Sequence, residues 1–138
     1  MSKEKSESVY IIVDFDGTVV THAYPLIGED IGSVPVLKEL VNNGHKLILF
    51  TMRCDTNDSF TLTHAVNWFK KNDIPLFGIQ VNPTQKRWTS SPKAYGHIII
   101  DDTSLFAPLK VDKTLSERPF IDWSKVNSEL IRLGLIHE

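Results

Sequence analysis

The chain has 138 residues, 41% hydrophobic and 23% charged, enough for one domain with a proper core and too few for two. A formal net charge of −2 gives no global attraction to nucleic acid, and the single cysteine, Cys54, excludes an internal disulfide and argues against a thiolate metal cluster. Residues 1–8 are polar with alternating charge and read as a flexible segment ahead of one domain over 9–138. They lack the apolar core of a signal peptide, and no later run is long enough to span a membrane, so a cytoplasmic protein is expected.

Tyr10-Ile11-Ile12-Val13 is the first of three continuous, β-rich apolar runs that read as buried parallel strands. Val34 to Asn43 places Val36, Leu37, Leu40 and Val41 on one helical stripe, with Asn43-Gly44 as its stop. The second strand is Lys46 to Phe50. A helix from about Asp58 to Asn72 buries Leu62, Ala65, Val66 and Phe69, and Pro75 marks the exit from it. Leu76 to Val81 is a weaker strand, and Asn82 to Pro92, with two prolines and Thr-Ser-Ser, reads as a loop. His97 to Ile100 is the third strong strand. The tail from Asp122 to Ile136 spaces Trp123, Val126, Leu130, Ile131 and Leu133 as a packing helix does, with Asp122 or Ser124 as N-cap. Strands alternating with helices predict an α/β domain with a mostly parallel sheet, right-handed crossovers and helices on both faces.

Three strands end in residues suited to phosphoryl chemistry: Asp14 and Asp16 after the first, Thr51 after the second, Asp101 and Asp102 after the third. Ligands of open α/β sheets bind outside the carboxyl ends of the strands, so these distant segments are expected to converge. A carboxylate such as Asp14 can attack phosphorus and split one hydrolysis into two displacements. That attack brings two anions together, and a divalent cation must offset the repulsion. Mg²⁺ suits a site with Asp14 and Asp101 as direct oxygen ligands and water completing the set. Asp16 can protonate the leaving oxygen and then deprotonate the attacking water. Gly17 lets the backbone turn beside the phosphate, and Thr51 offers a neutral donor to it. Lys93 is the best placed cation to complete the charge balance, with Lys86 and Arg87 in the same connection as alternatives.

Asp14-Phe15-Asp16-Gly17-Thr18, Thr51, Lys93 and Ile100-Asp101-Asp102, in that order, resemble the four motifs of the haloacid dehalogenase superfamily over roughly Tyr10 to Leu109. The resemblance implies a Rossmann-like catalytic domain over 9–138 and a magnesium-dependent phosphatase. It makes Asp14 the nucleophile and a metal ligand, and Asp16 the acid/base, lending its main-chain carbonyl to the metal. Thr51 and Lys93 hold the phosphoryl group, Asp101 ligates the metal directly, and Asp102 acts through a bound water. The second acid at position 16 favours phosphatase over dehalogenase, because dehalogenation has no alkoxide to protonate. Residues 19–30 would form the flap of such a protein. Neither interval between motifs has room for a cap domain. An open site of that kind accepts a phosphorylated small molecule or a phosphate on a macromolecule, or is covered by a second subunit in a homodimer.

Arg53 reads either as a grip on a second substrate anion, in a bidentate fork, or as a surface arginine. His22 and Tyr24 sit in the expected flap, where they either touch the substrate or, the favoured reading, are solvated. Cys54 reads as a packed side chain in preference to a redox switch, and Trp88 as a platform or as packing for its loop. The other histidines have no metal-ligand spacing. A catalytically silent phosphate-binding or assembly module is the alternative. A two-component receiver domain also uses Asp, Thr, Lys and Mg²⁺, but there the acidic pair comes first along the chain, whereas here it comes last.

Overall fold

In the computed structural model, which describes residues 7–138, the apolar run ahead of Asp14 becomes an inner strand of a parallel sheet. Residues 1–6, and with them most of the expected flexible segment, lie outside the described residues. β1 (Tyr10–Val13) pairs with β2 (Lys46–Leu49) on one side and β4 (Ile98–Ile100) on the other, and β3 (Gly78–Ile79) pairs with β2. The order is β3-β2-β1-β4. Val13 lies opposite both Leu49 and Ile100, so the residues that follow these strands leave the sheet side by side. A parallel sheet covered on both faces calls for apolar residues throughout, and β1 and β2 supply them.

Three helices follow the expected stripes. α1 (Ser33–Asn42) buries Val36, Leu37 and Leu40, and ends where Gly44 takes φ +89°, a left-handed turn that costs glycine little. α2 (Thr61–Lys71) buries Ala65 and Phe69. It starts about three residues later than expected, because residues 55–60 form a turn in which Thr56 N–H donates to the Ser59 carbonyl. The Asp55 carboxylate then accepts from the Thr63 amide and hydroxyl of the first helical turn. α3 (Trp123–Arg132) resolves the choice of cap: the Asp122 side chain accepts from the amides of Ser124 and Lys125.

All three helices pack into one core with Ile11, Val13, Leu47, Leu49 and Ile100. The alternate strand residues Ile12 and Ile48 face the other way, against Ala94, Tyr10 and Phe77. The expected cover on both faces is therefore unequal. The second face is covered by the connection from β3 to β4, which forms a 3₁₀ turn (Gln85–Arg87) and no α-helix. That crossover runs back across the sheet from one edge strand to the other, so a right-handed path puts it opposite α1 and α2.

Two elements lack a sequence signal: β5 (Leu109–Lys110) and β6 (Phe120–Ile121), an antiparallel pair of two-residue strands. Such strands are too short for an alternating pattern to register. The Ile121 amide donates to the Gly17 carbonyl at 3.0 Å, fastening this ribbon to the loop after β1. Among the described residues, no helix is long and apolar enough to cross a membrane, and no separate cap domain interrupts the chain.

Candidate active site

The sheet delivers its acids to one point. Asp14 follows β1 and Asp101 and Asp102 follow the adjacent β4. One carboxylate oxygen from each lies within 4.8 Å of the other two. The Asp14 amide continues the ladder by donating to the Ile100 carbonyl at 3.1 Å, which keeps the two strand ends in register.

Thr18, fully buried, organises the cluster. Its hydroxyl donates to Asp14 Oδ2 at 3.0 Å and lies 3.3 Å from Asp102 Oδ1, while it accepts from the Asp102 amide at 3.1 Å. Its carbonyl in turn accepts from Trp123 Nε1 at 2.7 Å. Sequence reasoning gave Thr18 no role of its own, although its place four residues after Asp14 was the available signal. His22 is not solvated as its position suggests. Its Nε2 lies 2.8 Å from Asp102 Oδ2, and the ring is largely covered, so it orients an acid of the cluster instead of facing solvent. Asp101 is oriented from its own loop, Oδ1 accepting from the amide and hydroxyl of Thr103.

Gly17 is required here twice over. Its φ is +75°, and a Cβ at this position would overlap the His22 imidazole and the Asp102 carboxylate. Its own amide donates to the Val20 carbonyl at 2.8 Å. It therefore serves the site by shape, with its N–H already used internally and not held out to a phosphate.

Burial raises the Asp14 carboxyl from its ordinary 3.8 to about 7; Asp101 and Asp102 add to the rise, while the Phe15 amide and Thr18 hydroxyl oppose it. Carboxylates facing one another in a partly desolvated pocket repel, and a divalent cation held among them would offset both the repulsion and the rise. A hard, all-oxygen donor set of this kind fits Mg²⁺ or a similar ion.

Asp14, Asp16, Thr51 and Asp102 share a cavity of ≈410 Å³ with His22, Tyr24 and Arg53. A larger one, ≈510 Å³, lies beside α2 but brings only Lys70 and Asp73 as charged groups; chemistry and not size identifies the site. Thr51 is held by Gln80, whose side chain bonds both its amide, at 2.8 Å, and its carbonyl, at 2.6 Å. The Thr51 hydroxyl accepts from the Arg53 amide at 3.1 Å, leaving its proton free for a ligand.

Arg53 has a different task from the expected grip on a substrate anion. It is 1% exposed, and its Nε and Nη2 donate to Asp16 Oδ2 and Oδ1 at 2.8 and 2.7 Å. The remaining donors go to the carbonyls of Pro25, Leu26 and Thr61. All five N–H groups are thereby spent inside the protein. Asp16 is correspondingly turned to Arg53 and is not among the three clustered acids.

Neither Lys93 nor its alternatives Lys86 and Arg87 line the acidic cavity. Lys93 lines a separate depression with Trp88 and Tyr95. The backbone explains this. The next residue, Ala94, packs on the second face of the sheet, and His97 donates to the carbonyl of Tyr10, so this segment enters the sheet at its amino-terminal edge. Tyr24 is exposed at the cavity rim, its ring beside the Arg53 guanidinium at 5.3 Å. Cys54 is exposed and not packed. Trp88 is exposed too and packs edge-on against Tyr95 at 5.3 Å.

No family model matches the chain, and no curated protein matches it. Among solved structures it is similar to that of a conserved protein coded by a locus of Bacteroides thetaiotaomicron. The two are 28% identical, with 92% of each chain covered and a TM-score of 0.71. The likeness spans nearly the whole of both chains, so the single-domain α/β architecture is shared as a unit.

Proposed function

We propose that this protein is a capless phosphatase of the haloacid dehalogenase type, hydrolysing phosphomonoesters through an aspartyl-phosphate on Asp14. The observation that carries the reading is the meeting of Asp14, Asp101 and Asp102 within 4.8 Å at the carboxyl ends of two adjacent strands. A divalent cation, Mg²⁺ by the hardness of its donors, would be held by these acids and supplies positive charge against an anionic substrate.

In this reading an Asp14 oxygen forms the new bond to phosphorus as the ester oxygen leaves. The Thr51 hydroxyl donates to a phosphoryl oxygen. Asp16, whose two oxygens accept from Arg53, would have to turn from that guanidinium and pick up a proton before it can protonate the leaving oxygen. The carboxylate so formed then takes a proton from the water that attacks the phosphoryl-Asp14 and releases phosphate. Thr18 holds the nucleophile's orientation throughout, and His22 holds that of Asp102.

Asp14→Asn should lower Mg²⁺-dependent turnover of an aryl phosphate by at least about 10³-fold with the fold intact by circular dichroism. Wild-type turnover in that variant would sink the mechanism. One observation favours a second reading, a silent phosphate-binding or assembly module: Lys93, Lys86 and Arg87 lie away from the acids. Phosphate binding by the wild-type protein without any Mg²⁺-dependent turnover across a phosphoester panel would establish that alternative.

A further inference from the structure

The Asp14 cavity is larger than a phosphoryl group needs. At ≈410 Å³ it falls in the range of small-molecule sites, about 300–1,000 Å³. Its floor is acidic, whereas its rim carries Tyr24, Met52 and Arg118, all exposed.

The two arginines that line it differ in what they have left to offer. Arg53 has every donor committed. Among the described residues, the Arg118 side chain enters no ion pair and no hydrogen bond; only its backbone amide is used, donating to Ser116 Oγ at 3.3 Å. Its backbone is nevertheless well anchored. Pro119 and the buried pair Phe120 and Ile121 follow it, and Ile121 is tied to Gly17. A fixed backbone thus carries an uncommitted guanidinium at the mouth of a cavity with three acids, and keeps it out of ion-pair contact with them. That position suits an anion lying farther out than the transferring phosphoryl group.

We propose that Arg118 recognises a second anionic group on the leaving-group side of the substrate. The preferred substrates are then phosphomonoesters that carry a further phosphate or carboxylate, which a guanidinium fork binds in two-point fashion. This rests on the reading of the cavity as a phosphoester site.

The test is calorimetric binding, in Mg²⁺, of three non-hydrolysable ligands: benzylphosphonate, its 4-carboxy derivative and its 4-phosphonomethyl derivative. The wild-type protein should bind at least one derivative about tenfold more tightly than the parent, and the favoured derivative distinguishes carboxylate from phosphate. Arg118→Ala should bring both ratios within about twofold of unity, and Arg118→Lys should fall between. A flat ratio in the wild type, or a ratio that survives Arg118→Ala, overturns the proposal. Flat ratios with intact turnover of p-nitrophenyl phosphate count against Arg118 alone. Failure of all three ligands to bind, together with no Mg²⁺-dependent turnover, overturns the phosphoester reading and the proposal with it.

Discussion

Arg53 connects the loop after β2 to the Asp16 carboxylate and to the segment around Pro25 and Leu26. Two of its donors fix Asp16, three close on carbonyls, and the guanidinium lies 4.8 Å from the centre of the Phe15 ring and 5.3 Å from that of Tyr24. Such a buried pair is weak evidence of net stabilisation, but breaking it strands a carboxylate and three carbonyls. Arg53→Met should therefore lower unfolding stability by about 3–5 kcal/mol, measured by urea denaturation; a loss under about 1 kcal/mol would mean the pair is replaced by water at little cost. At this scale the sequence was a partial guide. Asp14, Asp101 and Asp102 were legible because each follows an apolar strand directly, and the pairing register brings such positions together. Arg53 was legible as a residue of the site but not in its role, because its partners at positions 16, 25 and 26 are distant along the chain.

At the scale of elements, α3 belongs to the site as well as to the core. Asp122 caps it, and its first residue, Trp123, donates through Nε1 to the carbonyl of Thr18, whose hydroxyl steadies Asp14. Two substitutions separate these contributions. Asp122→Ala should cost about 1 kcal/mol by loss of the cap. Trp123→Phe keeps the aromatic bulk but leaves the buried Thr18 carbonyl unpaired, at about 1–3 kcal/mol. On the proposed phosphatase reading, only Trp123→Phe should also lower turnover of an aryl phosphate, since only it disturbs Thr18 beside Asp14; equal turnover in the two variants would show that α3 acts through packing alone. The helices were foreseen from their stripes and stops. The start of α2 moved, to Thr61, where Asp55 accepts from the Thr63 amide, whereas α3 begins behind its expected cap Asp122.

For the whole molecule, the acid cluster links stability to pH and, through any cation it holds, to metal. Asp14 titrates at about 7 in the folded chain against an ordinary 3.8, so between those values the folded state holds a proton that the unfolded state has released. Stability in the absence of divalent cations should therefore fall as pH rises through that window and level off above about 7, by a few kcal/mol at most. A divalent cation such as Mg²⁺, if held by the ionised cluster of the folded state, should restore stability most strongly above pH 7. Urea midpoints measured across pH, with and without Mg²⁺, test this. Asp14→Asn should flatten the metal-free slope, and a Mg²⁺ effect equal at all pH values would refute the linkage.

The residue pattern alone determined the α/β class, the strand that carries each acid and the edge of the sheet where the acids gather. Apolar periodicity and strand-end position are local properties, written into consecutive residues. Tertiary structure alone decided which charges reach that edge. Arg53 turns inward to satisfy Asp16 and the carbonyls of Pro25 and Leu26, Lys93 lies beside Trp88 and Tyr95 away from the acids, and Arg118 arrives at the rim on a ribbon too short to leave a pattern. A long cationic side chain can follow any of several backbone paths, and its destination is set by the carboxylates and carbonyls that the fold places within its reach.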